Sequence, residues 1–484
     1  MRTAFSVDTV RSAERELMGR LPEGALMQRA AAGLAVACAQ ALGRVSGQRV
    51  VLLVGSGDNG GDALYAGARL ARRGAGVSAV LLAPDRAHGG GLAALRRAGG
   101  AVVGVEAAEE VVLRADLVVD GIVGIGGKGG LRPDAAALVE AAERSGAVVV
   151  AVDLPSGVEA DSGEVRGTAV RADVTVTFGT HKPGLLIDPA REHAGVVRLV
   201  DIGLGDVLPA GAELEALQHT DVAALLPEPG GASDKYRRGV VGIAAGSARY
   251  PGAAVLAVAG ALRGGAGAVR YVGPAGQAVL ARFPETLVSD RGPQKAGRVQ
   301  AWVVGPGAGE DAATVAEVLA TDVPVLLDAD GLRLAERKAV RGRGAPTLMT
   351  PHAGEAAALL GVTREEVEGA RLAAVRELAG RYAATVLLKG STTLVADPAA
   401  PGGGPVRVNA TGTPWLATAG SGDVLSGLAG SLLAAGLSPL DAGSVAAYLH
   451  GLAGRLAARG APVGAHDVAD AIPDAWRDVR DGGR

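Results

Sequence analysis

Cysteine is almost absent: the chain has one, Cys38, in 484 residues. A single thiol cannot close an internal disulfide, and Cys38 sits in the apolar helical run Met27 to Leu42, where a buried free thiol is the ordinary reading. Aromatic residues make up 2% against an apolar share of 48%. The cores must therefore be built from Val, Leu and Ala rather than from rings. No run of 18 or more uncharged apolar residues occurs, so no membrane span is expected. The opening MRTAFSVDTVRSAERELM carries charges throughout and no apolar h-region, so no secretory signal is expected and the cytoplasm is the expected compartment. Excess charge is also missing: the net value is −3 and there is no basic tract, which argues against nucleic acid or an anionic membrane as partner. No Cys/His cluster has zinc-ligand spacing. What the chain has in quantity is glycine, 75 residues without a three-residue period, which excludes collagen. The length predicts two or three domains.

Two helices are read over 8–19 and 24–42. Arg49 to Val54 is a short β-branched run that ends in Gly55-Ser56-Gly57-Asp58-Asn59-Gly60-Gly61-Asp62, and Ala63 to Arg73 is helical in pattern. Strand, glycine loop and helix make the first unit of a doubly wound sheet. Further strand-like runs at 78–82, 101–104, 116–120, 147–152, 173–178 and 196–201 alternate with helical patterns, which predicts a parallel sheet covered on both faces. Ligands bind such sheets at the loops after the strands. Those loops hold the glycine string above, then Asp120-Gly121 and Gly124-Ile125-Gly126-Gly127-Lys128-Gly129-Gly130, then Asp153-Leu154-Pro155-Ser156-Gly157. Taken singly, each could be a turn. Together they predict a glycine-lined cleft in which Asn59, Asp120 and Ser156 offer hard oxygens to a cation such as potassium.

Residues 204–235 hold Gly, Pro and acidic residues without sustained periodicity, so the domain boundary is placed near 215–225. The second half is again α/β. Its strand-like runs end in Gly305-Pro306-Gly307-Ala308-Gly309, Asp328-Ala329-Asp330, Thr350-Pro351-His352-Ala353-Gly354-Glu355 and Lys389-Gly390. A helix is read from Val424, with Leu425, Leu428 and Leu432 at helical spacing, so Gly420 to Asp423 should form its N-terminus. Free N–H groups and the positive dipole end there attract phosphate oxygens. Asp423 is either an N-cap or first-turn residue or a base beside a phosphoryl-transfer site. His352 is either a structural turn residue or part of a polar turn reading ribose or pyrophosphate. Lys389-Gly390-Ser391-Thr392-Thr393 is either a hairpin or a set of contacts to a nucleotide.

Two resemblances cover the chain. GSGDNGGD, D-G-I-V-G-I-G-G, V-D-L-P-S-G and T-F-G-T-H-K-P-G resemble the YjeF N-terminal domain family, the NAD(P)H-hydrate epimerases, over residues 1–215. This implies that Asp58, Asn59, Gly60, Gly61 and Asp62, with Gly124 to Gly130, line the hydrated dinucleotide. It also implies that Asn59, Asp120 and Ser156 hold K⁺ and that Asp153 contacts the reacting ring, with Lys182 a candidate polar partner. Asp58 stands where the family has Asn, and Ala63 where Gly is typical. A-G-S-G-D resembles the ribokinase-like signature. With G-S-x-x-Y-x-G-A, G-P-G-x-G, L-D-A-D-G-L, T-P-H-x-G-E and L-K-G in order, residues 220–484 resemble the YjeF C-terminal family, the ADP- or ATP-dependent NAD(P)H-hydrate dehydratases. This implies Ala253, Gly307, His352 and Asp423 at the hydrated nicotinamide, and Lys389 to Thr393 with Gly422 at the adenine nucleotide. Asp234-Lys235 replaces the common H-K-G.

The expected fold is two α/β domains, an N-terminal Rossmann-like sheet and a C-terminal ribokinase-like domain. The expected activity is epimerisation of hydrated NADH or NADPH and nucleotide-driven dehydration of the S epimer, with catalytic Asp153 and Asp423 respectively. K⁺, Mg²⁺ and ADP or ATP are expected cofactors and co-substrates, and a homo-oligomer is expected. The alternative is a vitamin or sugar kinase fused to a non-catalytic binding domain.

Overall fold

The computed structural model describes residues 1–398 and 404–482. The chain divides into two compact units, Thr3–Glu213 and Leu214–Arg484, the second also holding Met1–Arg2.

The sheet of the first unit runs, edge to edge, Ala101–Val103, Gly76–Leu81, Arg49–Val54, Leu117–Gly121, Val148–Val152, Val174–Phe178 and Val196–Val200, parallel throughout. Alternation along Arg49–Val54 shows why both faces are covered. Val50, Leu52 and Val54 join the core that holds Leu34, Cys38 and Leu64, while Val51 and Leu53 join the opposite core with Val112, Val118 and Val139. The chain order reverses between Arg49–Val54 and Leu117–Gly121, so the crevice at their C-terminal ends is the topological switch point. Gly55 lies there, and a side chain on it would press its Cβ to 1.8 Å from the Ile122 carbonyl oxygen. The next helix spans Asp58–Ala71, with Gly57 at φ +106° before it. The start read at Ala63 is therefore corrected to Asp58. Asp, Asn and paired Gly are poor helix formers, and tertiary packing overrides them. The helix Ala25–Leu42 is, among the described residues, long and apolar enough to cross a membrane; seven of its residues are buried in the first unit, among them Leu34 and Cys38.

The sheet of the second unit runs Leu214–Ala216, Val406–Asn409, Thr393–Ala396, Thr385–Leu388, Thr347–Met349, Val325–Leu327, Ala301–Val304, Val240–Ala244, Ala268–Val272 and Leu287–Ser289. The hairpin Thr385–Leu388/Thr393–Ala396 and its pairing with Val406–Asn409 are antiparallel; the other pairs in this sequence of strands are parallel. The stretch read as aperiodic linker contains the strand Leu214–Ala216 and the helix His219–Leu225, closed by a capping box between Gln218 and Asp221. The helices Pro251–Arg263 and Ser421–Ala434 pack with their backbones nearly touching: a Cβ on Gly427 would stand 1.9 Å from the Ala257 carbonyl oxygen. That contact fixes where the N-terminus of Ser421–Ala434 points.

Candidate active sites

In the first unit the polar residues gather at the C-terminal ends of the four central strands. Asp153, just past Val148–Val152, takes the left-handed conformation at φ +66°. Its Oδ1 accepts from Lys182 Nζ at 2.5 Å, Thr177 Oγ1 at 2.9 Å and the Phe178 N–H at 3.3 Å. Lys182 Nζ also donates to Thr177 Oγ1 at 3.0 Å and the Phe178 carbonyl at 3.1 Å, and its side chain is 1% exposed. A buried ammonium needs this many acceptors. Lys182 is thus the partner of Asp153.

Asp62 is buried and its Oδ1 meets no donor among the described residues. Burial, and then the charges of Asp153, Asp58 and Glu14, hold its carboxyl well above the usual range. Glu14, from the helix Val7–Met18, is raised in turn by burial, partly offset by Lys182. No sequence pattern marked Glu14, because its helix is separated in sequence from every glycine loop.

Asp120 is fully buried. Its Oδ1 accepts from Ser156 Oγ at 2.6 Å and the Ile122 N–H at 3.3 Å, and its Oδ2 from the Ser156 N–H at 2.8 Å. Burial outweighs these bonds and pushes the carboxyl up to about 6. Among the described residues no cationic side chain forms an ion pair with it. Asn59 Nδ2 donates to the Val152 carbonyl at 3.0 Å, and a Cβ on Gly124 would stand 2.9 Å from Asn59 Oδ1. Asn59 and Ser156 therefore bracket the 123–124 segment, with the Ser156 hydroxyl accepting from the Val123 N–H at 2.9 Å. Lys128 is exposed on the Gly124 to Gly130 loop.

In the second unit Gly420, at φ +85°, precedes the helix Ser421–Ala434 and Asp423 lies in its first turn. Gly420 makes no side-chain cap, and Asp423 caps nothing: it is a carboxylate in the first turn, half-buried at the mouth. Burial and then the charge of Asp328 raise its carboxyl to about 7, against the pull of Lys389. Asp328 follows the strand Val325–Leu327 and is fully buried; its Oδ1 accepts from Lys389 Nζ at 2.7 Å and its Oδ2 from Ser426 Oγ at 2.6 Å. Lys389 is also 3.8 Å from Glu355 Oε2, and its side chain remains 19% exposed. Burial pulls the ammonium down, but Asp328, Glu355 and Asp423 outweigh it and hold Lys389 above its ordinary value. A Cβ on Gly422 would stand 3.5 Å from Lys389 Nζ and 3.9 Å from Asp328 Oδ2. The helix N-terminus, the ammonium and Asp423 thus face one small space.

His352 is the N-cap of Ala353–Leu360. Its Nδ1 accepts from the N–H groups of Gly354 and Glu355 at 3.0 and 3.1 Å, and Glu355 Oε2 accepts from the His352 N–H at 2.7 Å. The capping role holds the exposed ring with Nε2 outward, 3.5 Å from Glu355 Oε1. Gly307, at φ +61°, lies against Ala253: a Cβ on it would meet the Ala253 Cβ at 2.7 Å. Leu256, one turn beyond Ala253, underlies Gly420. The segment Lys389 to Thr393 is a hairpin turn, with Gly390 and Ser391 exposed and Thr392 buried. Arg371, from the helix Arg371–Tyr382, donates to the carbonyls of Leu388, Lys389 and Thr392 at 3.3, 3.1 and 2.9 Å and fixes the turn. Sequence reading missed the roles of Asp328, Ser426 and Arg371. L-D-A-D-G-L at a strand end was a signal for the first; nothing in the sequence marked Arg371.

Comparison with known proteins decides the family. A profile described as NAD(P)H-hydrate dehydratase matches residues 241–474, and one described as YjeF-related protein N-terminus matches residues 23–184. The bifunctional NAD(P)H-hydrate repair enzyme Nnr of Mycobacterium leprae is 50% identical over 467 residues, covering 95% of this chain and 94% of that protein. The chain belongs to the NAD(P)H-hydrate repair enzyme family. Its relative of the same description from Corynebacterium glutamicum is 38% identical over 580 residues, covering 99% of each. A crystal structure of the ADP/ATP-dependent NAD(P)H-hydrate dehydratase from Bacillus subtilis, co-crystallised with ATP/Mg²⁺, superposes at a TM-score of 0.51 with 29% identity, covering 55% of this chain and 99% of that one. Membership gives both units an enzymatic ancestry, and the second unit carries the ribokinase-like fold.

Proposed function

We propose that the two units divide one repair. The first, over residues 1–215, interconverts the R and S hydrates of NADH and NADPH. The second, over residues 220–484, dehydrates the S hydrate at the expense of ADP or ATP. The observation that carries the reading is the meeting of Asp423, the N–H groups at Gly422 and the Lys389 ammonium around one space. Hydroxide leaves poorly and phosphate leaves well. The hydroxyl oxygen on C6 attacks the terminal phosphoryl group, a new O–P bond forms, and the bond from phosphorus to the departing nucleotide breaks. Asp423 takes the hydroxyl proton, for which a carboxyl near 7 is suited. Lys389 and the helix N-terminus meet the negative charge on the phosphoryl oxygens. The C6–O bond then breaks with loss of a proton from C5, giving the C5–C6 double bond of NAD(P)H and free phosphate. Mg²⁺ bound with the nucleotide would shield its charge. Ala253, Gly307 and His352 border the hydrated nucleotide. Lys389, Gly390, Ser391, Thr392 and Thr393 border the adenine nucleotide.

In the first unit Asp58 to Asp62 and Gly124 to Gly130 line the hydrate, and Asp153, oriented by Lys182 and Thr177, contacts the reacting ring. Asn59, Asp120 and Ser156 would hold K⁺. The fit rests on Asp120, a buried carboxylate whose partners are all neutral donors. A monovalent cation held there would supply a positive charge to Asp120.

The test is to incubate the protein with NADPH hydrate and each nucleotide and to follow absorbance of the reduced nicotinamide. Recovery with ADP or ATP is expected. A stable phosphorylated product without NADPH would instead make the second unit a small-molecule kinase. Racemisation of purified S hydrate by residues 1–215 tests the first unit, and its absence would make that unit a binding module.

A further inference from the structure

The dehydratase reading uses Asp423 and Lys389 but leaves one fully buried carboxylate of the same space unemployed. Asp328 touches no solvent, and both its oxygens are committed, one to Lys389 and one to Ser426. Ser426 stands one turn along the same helix that carries Gly422 and Asp423. The carboxylate therefore joins that helix to the tip of the hairpin bearing Lys389, two elements 61 and 98 residues from it in sequence. A lysine side chain has four rotatable bonds and no intrinsic preference for this position. Without Asp328 its ammonium would be free to follow Glu355, 3.8 Å away on the other side.

We propose that Asp328 is a positioning residue for the dehydration: its two oxygens tie the Lys389 ammonium to the Ser426 helix, setting the cation beside Gly422 and limiting how far it offsets Asp423. The inference rests on the dehydratase reading of this unit. Its second consequence is electrostatic. The charged groups around Asp423 are few. Asp328 comes from the end of Val325–Leu327 and Lys389 from the hairpin, with Glu355 behind it on Ala353–Leu360. His450, on Pro439–Ala458, donates through Nε2 to the Ser421 carbonyl at 3.0 Å, and burial holds its ring down to about 4, so it is neutral. Helix Ala465–Arg480 places Ala465 against Gly420, and its His466 is engaged by Arg282 and Asp470. Asp328 is thus the anion that opposes ionisation of Asp423, and it occupies the cation that would favour it.

The experiment compares full-length wild type, Asp328→Asn and Ser426→Ala across pH, with NADPH hydrate and ATP. Asp328→Asn keeps the shape and removes the charge. Its kcat should fall about 10–10²-fold through misplacement of the ammonium, and the acid limb of kcat/KM should move down by about one pH unit as Asp423 loses a like-charged neighbour. Ser426→Ala keeps the charge and loosens the tie, so kcat should fall while the limb stays in place. An unshifted limb in Asp328→Asn overturns the electrostatic part, and wild-type kcat in Asp328→Asn overturns the proposal entirely. If Asp328→Asn does not fold, judged by loss of its circular-dichroism signal and cooperative unfolding, Ser426→Ala decides: a wild-type kcat there overturns the tie, and a reduced kcat with the limb unmoved supports it. Wild type that recovers no NADPH with either nucleotide sinks the dehydratase reading, and the positioning role with it; an active wild type with unaffected variants sinks the positioning role alone.

Discussion

Both units place a buried Asp–Lys pair at the C-terminal edge of a largely parallel sheet, and beside each pair a second carboxylate that forms no ion pair with a lysine. In the first unit these are Asp153–Lys182 and Asp62; in the second, Asp328–Lys389 and Asp423. The pairs differ in what remains unspent. Lys182 gives its three protons to Asp153, Thr177 and the Phe178 carbonyl and is shut from water. Lys389 makes one short contact and a longer one to Glu355, and keeps an open side. An ammonium has three donors, so the first lysine can only orient its aspartate, whereas the second has donors left for a ligand. The lone carboxylates differ in the same sense. Asp62 feels burial and three other acids, which raise its carboxyl well above the ordinary range; Asp423 has Lys389 as partial compensation and is raised to about 7.

The comparison is sharpest at Asp423. Asp423→Asn keeps the shape but cannot accept a proton, so nucleotide-dependent recovery of NAD(P)H should fall about 10²–10⁴-fold, the range for a lost general base, with epimerisation and nucleotide binding intact. Dehydration within about twofold of wild type, far short of that loss, would reduce Asp423 to a structural residue of the first turn. In the wild type the base must be ionised, and its raised value sets the limb: kcat/KM for dehydration should fall tenfold per pH unit below about 7 and level above it.

Next in size is the pair of lysines. Lys182→Met strands the buried Asp153 and should cost the first unit about 3–5 kcal/mol in urea unfolding. Lys389→Met strands Asp328, whose side chain is 2% exposed, so a stability loss of the same order is expected; because Lys389 keeps an open side, KM for the nucleotide should rise as well. An unchanged KM for the nucleotide in Lys389→Met would erase the distinction between a closed and an open pair.

Asp120→Ala should depress epimerisation about tenfold or more and abolish its dependence on K⁺, leaving dehydration unchanged. Wild-type epimerisation without monovalent-ion dependence would remove the cation from Asp120. The smallest effect is expected from cutting the chain after Glu213. Apart from Met1–Arg2, which the cut leaves on the first part, each part has its own sheet and core, so each should fold and keep its own activity; two insoluble fragments would count against that independence.

Periodicity located all seven strands of the first unit's sheet, because buried parallel strands are continuous Val/Leu runs bounded by glycine, and the helix beginning at Gly420 to Asp423 was equally legible; in the second unit the short strands Leu214–Ala216 and Leu287–Ser289 were not read. Helix starts were harder: Asp58 to Asp62 read as loop because its residues favour turns, yet packing at Gly55 and Gly60 makes it helix. The candidate site residues that the sequence offered lie in strings of glycine and acid at strand ends. Those missed act across the fold. Asp328 finds Ser426 only after 98 residues of intervening chain are folded, and Glu14 approaches Asp153 from a helix far upstream. Such partners leave no spacing to read.

The turn that carries Lys389 has a consequence for how sequences of this kind can diverge. A Cβ on Gly390 would stand 2.3 Å from an Arg371 guanidinium nitrogen, and that nitrogen is pinned by three carbonyls of the turn. The guanidinium cannot swing away without releasing them. Position 390 can therefore gain a side chain only where position 371 has lost its arginine, and a chain that loses the arginine must find another donor for those carbonyls. The two positions, 19 apart in number, are expected to drift together or not at all.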